Sequence, residues 1–161
     1  MTSSKLHFRP FFYCMQTYKT FPYEFPIFSL LAMQMSYKQF LIGKSYWLNT
    51  LRLYSKTIGM GQDFIKTAAY TGSAAFLIGG ETLHRLLSIP VNEKRKHHIN
   101  ELELQLRLKN CGLLVIDEKS MIGQSLLMSI DKHLRMARPH KQDEIFGGLS
   151  VILIGDFKQG S

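Results

Sequence analysis

A chain of 161 residues with 45% hydrophobic side chains has material for one domain of ordinary size with a real core, which excludes an intrinsically disordered chain. Its formal net charge of +8 favours a polyanionic partner, nucleic acid or acidic membrane, without choosing between them. Two cysteines, Cys14 and Cys111, argue against a disulfide-stapled secreted scaffold and a zinc ribbon; the apolar run from Ile27 to Met35, broken by Ser29 and Gln34, is too short to span a bilayer.

The first 40 residues hold eleven of the eighteen Phe and Tyr residues, three prolines (Pro10, Pro22 and Pro26) and a single acid, Glu24, with no helical or strand period. Aromatics interleaved with basic residues can stack single-stranded bases. An extension that lays its rings on a neighbouring surface explains them equally, and it is the reading adopted here. The absence of acids before residue 24, with Lys5, Arg9 and Lys19, is the balance of an organelle transit peptide, although the prolines spoil an amphipathic helix.

A short strand over Gln39 to Ile42 runs into Gly43-Lys44-Ser45, which opens a helix over 45–58 ended by Gly59, with Leu48, Leu51 and Ile58 on its apolar side. A phosphate-cradling loop needs glycines so that successive N–H groups can turn to the phosphates, a lysine to reach their outer oxygens and a hydroxyl for Mg²⁺. Here Lys38 stands where the first glycine of that loop belongs. A bare Gly-Lys-Ser also suits a surface turn.

The residues from Phe64 to Ala69 read as a strand, followed by Thr71-Gly72-Ser73-Ala74-Ala75 and then Gly79-Gly80-Glu81-Thr82-Leu83-His84. Small residues and hydroxyls at a helix start let a phosphate backbone approach closely. N-caps at Thr71 and Thr82 account for the same residues. The run Lys94-Arg95-Lys96-His97-His98 is expected to be a solvated loop, and no third ligand completes a metal site with its histidines. Residues 101–108 alternate strictly, as a strand would, but consist of strong helix formers, and a helix is expected. A clearer helix covers 124–138, with Leu127, Ile130, Leu134 and Ala137 as its stripe.

Two unbroken apolar runs carry the most information. Leu113-Leu114-Val115-Ile116 ends in Asp117-Glu118, and Val151-Ile152-Leu153-Ile154 ends in Gly155-Asp156-Phe157-Lys158-Gln159. Strands buried on both faces of a parallel sheet look like this, and in open α/β sheets ligands bind at the carboxyl ends of the strands. An aspartate there can hold Mg²⁺, a glutamate can orient an attacking water, and a glutamine can sense a γ-phosphate. A strand surfacing into a solvated turn also ends in acids. The succession of strands and helices predicts an α/β fold with a parallel sheet.

Taken together, Ala69 to Pro90 (AYTGSAAFLIGGETLHRLLSIP), Leu113 to Gly123 (LLVIDEKSMIG) and Phe146 to Gln159 (FGGLSVILIGDFKQ) resemble the PIF-type DNA helicases, superfamily-one enzymes that also occur in Helitron transposons. The resemblance covers residues 39–161 and implies a partial first RecA-like P-loop NTPase domain, with 1–38 as an irregular N-terminal extension and the second RecA-like domain absent. It implies an ATP-dependent 5′–3′ DNA helicase of repair, recombination or telomere maintenance, with ATP and Mg²⁺ as cofactors and single-stranded or 5′-tailed duplex DNA as partner. No membrane partner is implied. A nuclear address follows from the resemblance, with a mitochondrial one as the alternative.

Carried over by position, the resemblance puts Gly43 and Lys44 on the phosphates, Ser45 and Asp117 on the metal, Glu118 on the water and Gln159 on the γ-phosphate. Thr71, Gly72 and His84 fall in the segment that follows single-stranded DNA in the family. This chain departs from the family at the loop before Gly43, at Tyr70 in place of a proline and at Lys119 in place of an aliphatic residue. It also ends at Ser161, where the family continues into its second domain. The competing expectation is a catalytically inactive fragment, at most a weak basic nucleic-acid-binding module.

Overall fold

The structure, a computed structural model, describes residues 16–18, 44–91 and 100–155, with the backbone alone at 16–18, 44 and 45. Among these residues one sheet runs in the order β1 (Gln16–Tyr18), β5 (Ser150–Leu153), β4 (Leu113–Asp117), β2 (Ile65–Ala69), β3 (Glu81–Thr82). β5, β4, β2 and β3 are parallel, in a register that sets Leu113 beside both Ser150 and Ile65, and Asp117 beside Ala69. β1 pairs antiparallel with β5. The extension was expected to be irregular, yet it supplies this short edge strand: three residues are too few to show a period, and a sheet edge supplies the partner groups that local sequence lacks. The strand expected over Gln39 to Ile42 lies outside the described residues, as does the basic run at 94–98.

Helices cover both faces. α1 (Lys44–Thr57) and α2 (Gly72–Leu77) lie on one, and α3 (Leu83–Leu86), α4 (Glu101–Leu108) and α5 (Gln124–Ala137) on the other. The side-chain alternation of the strands divides the core between them. Leu113, Val115, Ile65, Ala69 and Ile152 pack with Trp47, Leu48 and Leu51 of α1. Leu114, Ile116, Val151 and Leu153 pack with Leu104, Leu108, Ile130 and Leu134. Every residue of β4 and of β5 is buried, as unbroken apolar runs require.

Local chemistry sets the boundaries. α1 ends where Gly59 turns left-handed, with Met60 N–H closing onto Ser55 C=O at 2.9 Å. Ile58 lies just past the last residue of α1 and is exposed, so the stripe of α1 is Trp47, Leu48 and Leu51 rather than one extending to Ile58. Thr71 and Thr82 cap α2 and α3 by accepting the N–H of Ala74 and of Arg85. In α4 the alternating leucines divide by helical spacing: Leu104 and Leu108 are buried, while Leu102 and Leu106 point to solvent. α5 buries Ile130, Leu134 and Ala137 as expected, and also His133, whose Nδ1 lies 2.6 Å from Ser129 C=O.

Two side chains tie elements together. Arg52 of α1 donates to Thr67 Oγ1 (2.8 Å) and to the carbonyls of Ile78 and Gly79 (both 3.1 Å), fixing α1 to the turn between α2 and β3. Burial pulls its guanidinium below the usual arginine value. Asp131 of α5 accepts the Phe146 N–H at 2.6 Å and the Arg135 Nε–H at 2.8 Å, pinning the loop that leads into β5.

Candidate functional site

β4 and β5 run side by side and parallel, so their carboxyl ends share one edge of the sheet. α1 reaches the same edge. Its last turn connects through residues 58–64 into the start of β2, which puts its first turn, beginning at Lys44, at the carboxyl ends of the strands. Trp47 and Leu48 of that turn accordingly pack with Ala69 and Ile154.

Asp117 closes β4 on the side facing α1 and is 6% exposed. Its Oδ1 accepts the N–H of Glu118 at 2.8 Å. Glu118 adopts a left-handed conformation (φ 61°, ψ 47°), which costs a non-glycine residue about 1 kcal/mol. This conformation turns the chain sharply out of the strand into a 3-10 turn over Lys119–Met121. β5 braces the turn from the side, since Lys119 N–H donates to Ile154 C=O at 3.0 Å. Gly155 fits there for want of a side chain: a Cβ on it would lie 2.8 Å from Lys119 N.

The next strand brings in the second group. Ala69 is in register with Asp117, so the residues leaving β2 come alongside Glu118. The Thr71 hydroxyl donates to Glu118 Oε2 at 2.9 Å and the Thr71 N–H donates to the same oxygen at 3.2 Å. Gly72 begins α2. His84 is on α3, where its ring meets that of Tyr70 edge-on, with centroids 5.7 Å apart. The structure therefore gathers Asp117, Glu118, Thr71 and Gly72, and links His84 to them through Tyr70. Lys44 is placed as the first residue of α1 with Ser45 beside it, while Gly43 and Gln159 lie outside the described residues.

Sequence reasoning missed the bond from Thr71 to Glu118, the Tyr70–His84 contact and the Arg52 tie. Register between β2 and β4 was the one signal that could have exposed the first, because it decides which loops meet. A pocket of about 380 Å³ opens elsewhere, at the outer edge of β2, lined by Arg52, Lys56, Lys66, Thr67, Gly80 and Glu81 among others. It contains none of the residues assigned to nucleotide, metal or DNA from sequence, and the buried carboxylate of Asp117 is the better guide to chemistry.

A parallel sheet with acids at the carboxyl edge, reached by a helix opening on Lys-Ser, is the arrangement of a nucleotide hydrolase. The family model described as PIF1-like helicase matches residues 41–160. This chain belongs to the PIF1-like helicase family. Among its relatives, the ATP-dependent DNA helicase RRM3 of Saccharomyces cerevisiae is 34% identical over 122 residues, which is 73% of this chain and 16% of that protein. The human ATP-dependent DNA helicase PIF1 is 35% identical over 121 residues, 73% of this chain and 18% of that one. Pif1 from Bacteroides sp in complex with ADP-AlF4 superimposes with a TM-score of 0.58 at 34% identity, over 73% of this chain and 26% of that one. The same helicase bound to ssDNA gives 0.57 at 34% identity over the same shares. The chain thus spans less than a third of the length of these PIF1-like proteins, and its α/β fold is that of their RecA-like domain.

Proposed function

We propose that the chain carries the nucleotide-hydrolysing half of an ATP-dependent 5′–3′ DNA helicase, with residues 39–161 as its first RecA-like domain and 1–38 as an extension. The observation that carries this reading is the Asp117–Glu118 pair at the carboxyl edge of the parallel sheet, hydrogen-bonded to Thr71 of the neighbouring loop. The donor set suits the cofactors: a buried carboxylate with hard oxygens for Mg²⁺, and a lysine opening a helix at the same edge for phosphates.

In this reading Ser45 and Asp117 hold the Mg²⁺ ion, and Gly43 and Lys44 hold the β and γ phosphates of ATP. The ion supplies charge neutralisation on the transferred phosphoryl group. Glu118 orients the attacking water and takes its proton, while Gln159 senses the γ-phosphate. Thr71, Gly72 and His84 line the path of single-stranded DNA. The surplus of positive charge favours that partner. The setting is DNA repair, recombination or telomere maintenance, in the nucleus or on mitochondrial DNA.

ATP turnover with and without a single-stranded oligonucleotide, followed by unwinding of a duplex with a 5′ overhang, tests the proposal. DNA-stimulated turnover that Glu118→Gln lowers by at least about 100-fold is the expected outcome. Lys38, in the place of a loop glycine, favours the competing reading of a catalytically inactive DNA-binding module. Oligonucleotide binding with turnover at background, unchanged in Glu118→Gln, would establish that reading instead.

A further inference from the structure

Glu118, the proposed base, is engaged. Its Oε2 accepts both the hydroxyl and the N–H of Thr71, at 2.9 and 3.2 Å, and among the described residues no lysine or arginine forms an ion pair with it. The hydroxyl of Thr71 has one proton to give and two lone pairs to offer. Its proton is donated in the hydrogen bond to Glu118 Oε2, one lone pair receives the Ala74 N–H at 3.3 Å, and Ser73 Oγ lies at 3.3 Å. Both donors of Thr71 therefore point at a single carboxylate oxygen. Any further acceptor that takes them has to displace Glu118.

We propose that Thr71 is a positioning residue for Glu118: it holds the carboxylate against the start of α2, and single-stranded DNA, by taking the donors of Thr71, releases the carboxylate to act on water. This rests on the reading above, in which the strand passes Thr71 and Gly72. A nucleic-acid phosphate is an acceptor only, so phosphate and carboxylate compete for the same N–H and O–H. Competition of this kind couples the two sites, and coupling is reciprocal: if DNA draws Thr71 from Glu118, then Glu118 weakens DNA binding through Thr71. The two bonds tie the side chain of Glu118 to the residue that caps α2, and their loss frees the carboxylate at the end of β4.

The whole chain, wild type and variants, is titrated against a fluorescently labelled oligothymidylate, and anisotropy gives four affinities: wild type, Thr71→Val, Glu118→Ala and the double variant. Glu118→Ala is expected to tighten binding by about fivefold or more in the wild-type background and by clearly less in the Thr71→Val background, where the backbone N–H alone is left to contest. Thr71→Ser keeps both donors, so the full gain from Glu118→Ala should return in that background; its return separates loss of the hydroxyl from damage to the fold. An equal gain in both backgrounds would mean that Glu118 repels DNA by charge alone, and no gain in either would mean no competition; each overturns the proposal. A wild-type chain that binds no oligonucleotide overturns the DNA reading itself, and with it the coupling. That result is distinct from coupling failing alone, where the wild type binds and the cycle closes.

Discussion

Buried polar atoms give the sharpest expectations at the scale of single residues. Cys111 is enclosed beneath the sheet with its Sγ–H directed at Leu113 C=O (3.4 Å), and burial pushes the thiol up to about 11 from an ordinary 9.0. The neutral thiol is the form that the fold favours. Its contribution to stability is therefore present in full below pH 9, falls as pH rises and the unfolded chain ionises first, and is gone above pH 11. Between pH 8 and 10.5 that loss is about 2 kcal/mol. Urea melts at the two pH values should show it for the wild type and not for Cys111→Ala, whose cavity cost does not depend on pH; equal losses would trace the effect to other groups. Glu118 illustrates the opposite case. Its carboxylate stays half-exposed and is held by hydrogen bonds to a neighbour rather than by enclosure.

Elements are held in place by a few polar ties across the apolar layers. Asp131 accepts the N–H of Phe146, a residue whose φ of 56° is left-handed, and so keeps the loop before β5 in a shape it would not choose alone. Asp131→Ala should lower the unfolding free energy by about 2 kcal/mol, since a charged acceptor leaves a part-buried N–H behind. Chemical denaturation measures this, and an unchanged midpoint would show that the loop holds itself. The elements themselves were largely legible. β4 and β5 were readable because burial on both faces leaves an unbroken apolar run, and α5 because its stripe follows the helical period. β1 was not, because it exists only by pairing with β5, and pairing is not written in three residues. The site was legible in its parts, Asp117, Glu118 and Thr71, through motif spacing. Their contact depends on the register of β2 against β4, which sets together residues 47 positions apart.

At the scale of the whole molecule the sheet is finished differently on its two sides. β1 runs along the outside of β5, whereas β3 pairs only with Ala68 and Ala69 of β2 and leaves the outer side of the beginning of that strand without a strand neighbour among the described residues. The gap is the pocket of about 380 Å³, into which Arg52, Lys56 and Lys66 bring positive charge. Gly80 closes part of it, in such close approach that a Cβ there would lie 2.3 Å from Thr67 C=O. An open strand edge is a template for another chain, and lysines beside it are a common defence. Replacing both lysines, Lys56→Val with Lys66→Val, should make the sedimentation coefficient rise with concentration more steeply than in the wild type; identical profiles would show that the edge needs no guard. The gap in the sheet thus bears on solubility as well as on shape. Two copies that met along β2 would each bring the same three cations to the seam, so a charge pattern favourable to nucleic acid would also discourage the chain from polymerising with itself.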